Sequence, residues 1–146
     1  MAKDYGYVER FGKMGFGMFV HYGLYSVCGR GEWAYYFNKM SREEYDALLP
    51  KFDVKEGFAK ELVAAAKTAG CKYISLTTRH HDGFSLYDTK GLSDYDVMHT
   101  PTKRNLVKEF VDECYKNDIT PMFYHTLMDW RDERFEKNFK EYLVYL

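Results

Sequence analysis

Four short stretches concentrate the side chains of this sequence that can move protons or bind ligands: His21-Tyr22, Gly31-Glu32-Trp33, Arg79-His80-His81-Asp82-Gly83-Phe84, and Tyr124-His125 through Asp129-Trp130. Each mixes imidazole or carboxylate groups with aromatic rings. The titratable groups are those of general acid–base chemistry or of a metal site. Tyrosine and tryptophan add flat apolar walls with a hydrogen-bonding edge, which suits a carbohydrate pocket and equally suits a thick core. The chain is rich in them: aromatic residues make up 18% of the sequence and include 14 tyrosines.

Three of the clusters follow directly on β-forming runs. Gly15 to Val20 reads as a buried strand flanked by glycines, and it empties into His21. Tyr73 to Leu76 is a short apolar run that empties into Thr77-Thr78-Arg79 and the His-His-Asp turn. Thr120 to Tyr124, with Pro121 at its start, empties into His125. Between the strands lie helix patterns. Ser41 and Glu44 fit a capping box that opens a short helix to about Leu49. A second capping box at Asp53 and Glu56 opens a longer helix, with Phe58, Leu62, Ala65, Ala66 and Ala69 inward and Gly70 at its end. A helix over 105–117 turns Leu106, Val107, Phe110, Val111 and Cys114 inward, and a last one from about Arg131 aligns Phe135, Phe139, Leu143 and Leu146. Residues 1–14 predict a loop or short helix, and residues 85–103 a long irregular connection of the kind that has a job. The order strand, helix, strand, helix, strand, helix implies an α/β fold of parallel strands with right-handed crossovers. All three strand ends then share one edge of the sheet, where α/β proteins build their sites.

Composition removes several function classes. The formal net charge of −1 gives no electrostatic case for nucleic acid or an anionic membrane surface. No apolar run approaches the roughly 18 residues of a membrane span, and the polar amino terminus lacks a signal core. Three cysteines without a C-x-x-C pair read as reduced thiols in a cytoplasmic protein.

Taken together, the motifs resemble the α-L-fucosidases of glycoside hydrolase family 29. The resemblance is carried by Phe16-Gly17-Met18-Phe19-Val20-His21-Tyr22-Gly23, by Gly31-Glu32-Trp33, by Thr77-Thr78-Arg79-His80-His81-Asp82-Gly83-Phe84, and by Phe123-Tyr124-His125-Thr126-Leu127-Met128-Asp129-Trp130. It implies parallel βα units like the first three of a (β/α)8 TIM-like barrel, with residues 1–146 as the amino-terminal part of that catalytic domain. It implies that His21, Glu32, Trp33, His80, His81 and Tyr124 line a fucose pocket, the polar groups binding sugar hydroxyls and Trp33 walling the ring. The reaction it implies is retaining hydrolysis of terminal α-L-fucose on a fucosylated glycan, with no metal and no cofactor. The family's nucleophile, an aspartate at the end of a later strand, and its acid/base carboxylate are expected beyond Leu146. A retaining site needs two carboxyl groups about 5–5.5 Å apart, and a full barrel takes about 250 residues. The expectation is therefore a truncated chain that is inactive by itself. The competing expectation is a non-catalytic or split-gene fragment that binds fucose weakly. In either case open sheet edges favour a homo-oligomer or a complementary carboxy-terminal fragment.

The same residues have plainer readings. On a strand, alternation would turn only one of His80 and His81 inward; the resemblance implies both. Asp82 before a glycine reads as a turn-former, and Asp129 as the cap of the last helix. His21, His80, His81, Asp82 and Asp129 could converge on a metal, but barrel metallohydrolases present His-x-His after the first strand, and this chain has His21-Tyr22-Gly23.

Overall fold

The computed structural model describes residues 6–131, so the helix expected from about Arg131 lies outside the described residues. Within them the order is α1 (Gly6–Met14), β1 (Gly17–Val20), α2 (Ala34–Phe37), α3 (Arg42–Asp46), α4 (Phe58–Thr68), β2 (Tyr73–Arg79), α5 (Leu106–Lys116) and β3 (Thr120–His125), with short 3₁₀ turns at Leu24–Val27, Leu49–Lys51 and Val97–His99. The three strands form one parallel sheet in the order β1-β2-β3. The expected α/β architecture is present.

Strand β2 is central because its sequence suits burial on both faces. Ile74 and Leu76 point toward the helices and are fully buried with Val63 and Ala66 of α4 and Phe110 and Cys114 of α5. Gly17 and Tyr73 are register partners, and a Cβ on Gly17 would stand 2.3 Å from the Tyr73 ring. That close approach explains the glycine. The reading of β1 as a buried strand needs correction: among the described residues it is an edge strand, and Phe19 is 55% exposed.

A second core lies under the strand-end loops, where Leu24, Tyr25, Tyr45, Phe52, Phe84, Leu86 and Val97 pack together. The long connection 85–103 belongs to it. Leu86 N–H donates to Thr78 O and Leu86 O accepts from Leu106 N–H. Asp96, 1% exposed, accepts from Thr89 N–H and Oγ1, from Met98 N–H and from a His99 ring nitrogen. The job of this loop is to knot itself and brace its neighbours.

The first capping box is present: Glu44 N–H donates to Ser41 Oγ, and Ser41 N–H to Glu44 Oε2. The second is not. Val54 N–H donates to Thr102 Oγ1, and Arg104 donates to Val54 O and Lys55 O, which holds this stretch extended. Helix α4 therefore begins at Phe58 after Gly57, whose φ is +80°. Of the expected face, Ala66 is buried and Phe58 and Leu62 pack half-buried against the same core, joined by buried Ala59 and Val63, while Ala65 and Ala69 are exposed. In α5 the expected face holds, with Leu106, Phe110 and Cys114 buried and Asn105 capping through Lys108 N–H. Among the described residues no helix is long and apolar enough to cross a membrane.

Candidate functional site

Consecutive polar residues at the end of β2 act as a hub. Thr77, 1% exposed, accepts Tyr22 N–H, donates to Tyr22 O and meets the Tyr25 hydroxyl at 3.1 Å. It thereby pins the loop that carries His21. Thr78 Oγ1 donates to Tyr124 O in β3. Arg79 reaches the loop after β3 through Thr126 O and Asp129 Oδ2, and its own loop through Gly83 O. One strand thus sets the relative height of all three loops.

Of the six expected residues, these anchors bring His21, His80, His81 and Tyr124 around one centre, and Trp33 packs against both β2-end histidines. The His80 ring lies 5.7 Å from His21, 4.5 Å from His81, 5.7 Å from Tyr124 in a stacked arrangement, and 6.3 Å from Trp33. The Trp33 ring stands 5.5 Å from His81. Glu32, half-buried beside Trp33, opposes the loss of basicity at His80. Strand β2 ends at Arg79, so the alternation that would separate His80 from His81 no longer operates, and both rings face the aromatic cluster.

The two histidines differ in their partners. His81 Nδ1 shares a 2.6 Å hydrogen bond with Thr126 Oγ1, and its Nε2 lies 3.5 Å from the Tyr124 hydroxyl. His80 is 4% exposed, and its Nδ1 has no hydrogen-bond partner among the described residues. Burial, then the nearby His81 and His21, push the His80 imidazole down to about 4, with Glu32 pulling the other way. Burial also lowers His81. Near neutral pH both rings are uncharged, so His80 offers one ring nitrogen that wants a polar partner.

The carboxylates have separate work. Asp82 Oδ1 accepts Phe84 N–H, the turn expected before Gly83, while its Oδ2 accepts the Tyr45 hydroxyl at 2.7 Å. Burial, outweighing the bonds from Tyr45 and Phe84, raises its pKa to about 6. Asp129 pairs with Arg79 at 2.5 Å, the two side chains being 13% and 7% exposed. It also accepts Arg131 N–H. The helix it was expected to cap lies outside the described residues. Among the described residues no three His, Cys, Asp or Glu side chains are placed to share a metal ion.

Trp130 belongs to the cluster and was not among the six. Its ring lies 5.1 Å from Trp33, 5.2 Å from His81 and 5.4 Å from Tyr36. Its place at the end of the last motif was the available signal. Thr126 was also not among the six; it lies just past the end of β3, inside the last motif.

A family model described as Alpha-L-fucosidase matches residues 2–143, nearly the whole chain. The chain belongs to the α-L-fucosidase family. It is 28% identical over 131 residues to the tissue α-L-fucosidase of Homo sapiens, an alignment covering 79% of this chain and 28% of that protein. Among solved structures it superposes on α-L-fucosidase isoenzyme 1 from Paenibacillus thiaminolyticus with a TM-score of 0.83 and 34% identity, over 94% of this chain and 37% of that one. The family 29 α-L-fucosidase of Bacteroides thetaiotaomicron gives a TM-score of 0.84 at 27% identity, over 94% and 35%. The chain therefore spans less than half the length of these relatives.

Proposed function

We propose that residues 1–146 carry the sugar-recognition side of a retaining α-L-fucosidase site, built on the first three βα units of a (β/α)8-like barrel. His21, Glu32, His80, His81 and Tyr124 bind the hydroxyls of a terminal α-L-fucose, and Trp33 walls its apolar face. One observation carries this reading: a neutral, buried imidazole, His80, whose Nδ1 has no partner among the described residues, ringed by aromatic faces at the carboxyl edge of a parallel sheet. Such a group suits an uncharged polyol better than an ion. The nucleophile and the acid/base are, in this reading, carboxylates outside residues 1–146, so the isolated chain binds without turning over.

A second reading has its own support. β1 and β3 pair only with β2 among the described residues, and Phe19 and Phe123 on them are 55% and 52% exposed. Open edges of this kind favour strand pairing. On this reading the chain is non-catalytic, and it assembles with a second copy or with a complementary carboxy-terminal fragment.

The test is turnover of an aryl α-L-fucoside by the purified chain, followed against protein concentration. The first reading expects none at any concentration. Turnover that persists on dilution would place a catalytic carboxylate within this chain and overturn that part of the account. The second reading also expects none, and differs in light scattering that shows an assembled chain. Specific activity rising with concentration would mean that paired chains complete a site, and would overturn the absence of catalysis in both readings.

A further inference from the structure

The fucose reading leaves the tie between the β2 and β3 loops without a role, although that tie is more elaborate than the fold requires. Thr126 N–H donates to Arg79 O, and Trp130 N–H to His81 O at 2.8 Å. The Arg79 guanidinium bridges Gly83 O, Thr126 O and the Asp129 carboxylate. Gly83 lies flush against that carboxylate: its φ is +80°, and a Cβ there would stand 2.7 Å from both Asp129 oxygens. On the site side of the same tie, Thr126 Oγ1 holds His81 Nδ1.

We propose that Arg79 and Asp129 are positioning residues for sugar recognition, acting through Thr126 on His81 and through the loop backbone on Trp130. Arg79 sets the carbonyl of Thr126, and Asp129 holds Arg79 in the one orientation that serves three acceptors at once. Thr126 is thereby fixed in depth, and its hydroxyl, which also accepts Met128 N–H, holds the Nδ1 edge of the His81 ring. Lysine cannot substitute for the arginine, because one ammonium cannot present a planar fork to two carbonyls and a carboxylate. A buried pair of this kind adds little net stability over apolar residues, so its value lies in geometry. The proposal rests on the fucose reading for its consequence, and on the His81 ring for its direct readout.

The experiment uses the full chain, labelled with ¹⁵N at histidine, and L-fucose as the probe. Asp129→Asn, Arg79→Lys, Thr126→Val and the double variant Asp129→Asn/Thr126→Val are compared with the parent. The expected result is that each single variant moves the His81 ring-nitrogen signals in the sugar-free chain and weakens L-fucose binding by about tenfold or more, the scale of a misplaced contact. The double variant should bind no more weakly than Asp129→Asn alone, because the Thr126 hydroxyl acts on a ring that Asp129→Asn has already released. Arg79→Lys keeps a positive charge beside Asp129 and carries the test if the asparagine variant does not fold. A folded Asp129→Asn or Arg79→Lys chain with parental His81 signals overturns the proposal, as do losses in the double variant that multiply. If the parent binds no L-fucose while the His81 signals still move in the variants, the positioning role stands and the fucose reading falls.

Discussion

Replacing Tyr45 by phenylalanine tests the electrostatics behind the His-His-Asp turn. The ring would keep its packing against Tyr35, 4.8 Å away, and only the hydroxyl would be lost. That hydroxyl donates to Asp82 Oδ2, and Asp82 is 1% exposed. Burial, and then the neighbouring Asp82 charge, hold the phenol far above its ordinary pKa, so it remains a donor at every pH of interest. A hydrogen bond to a charged group is worth about 1.5–3 kcal/mol, and a neutral one about 1 kcal/mol. Asp82 titrates at about 6, above its ordinary 3.8, so it is mostly protonated at pH 5 and ionised at pH 8. A carboxyl whose pKa is raised by folding contributes stability that is complete below the unfolded value and lost as pH rises through the folded one. Removing the donor raises that pKa further and steepens the loss. The variant should therefore be less stable than the parent by about 2–3 kcal/mol at pH 8 and by about 1 kcal/mol at pH 5. Urea unfolding of both chains at the two pH values measures this. Taking the difference cancels His80, whose lowered pKa makes it lose stability in the opposite direction, as pH falls from 6.5 toward about 4. Equal losses at pH 5 and pH 8 would refute the reasoning.

Other perturbations follow from the same contacts. Gly83→Ala puts a Cβ against the Asp129 carboxylate at a φ of +80° and should destabilise the chain by about 2–4 kcal/mol in denaturant unfolding. Ser41→Ala removes the cap of α3 and should lose about 1 kcal/mol, with amide exchange quickening first in Arg42–Asp46. The His99 imidazole, bonded to Asp96, has a raised pKa. Its contribution is complete below its unfolded value and fades as pH rises through the folded one, so His99→Gln should flatten the stability profile across that window. Amide exchange over residues 85–100 at pH 6 and pH 8 would show it.

Local chemistry made part of this architecture legible in the sequence. Ser41 and Glu44 cap their own helix, and the β-forming run from Tyr73 needs only its apolar residues to be read as a strand. Runs ending in titratable residues foretold three strand ends on one edge. The failures share a cause, which is distant occupancy of backbone groups. Asp53 and Glu56 fit a capping box, but Thr102 and Arg104, some fifty residues on, bind the backbone at Val54 and Lys55 and keep it extended. The partnership of Asp129 with Arg79 was likewise invisible, because an aspartate near an expected helix start satisfies the local rule for a cap. Trp130 stood inside a recognised motif, yet only the packed structure shows its ring against Trp33 and His81.

The central claim concerns His80, and the direct measurement is a titration of L-fucose into the ¹⁵N-histidine-labelled chain at neutral pH. The His80 ring nitrogens should move saturably with sugar, as Nδ1, unpartnered among the described residues, gains a hydroxyl, and Trp33→Ala should weaken the response. A folded chain whose His80 signals stay in place as L-fucose is raised would contradict the claim.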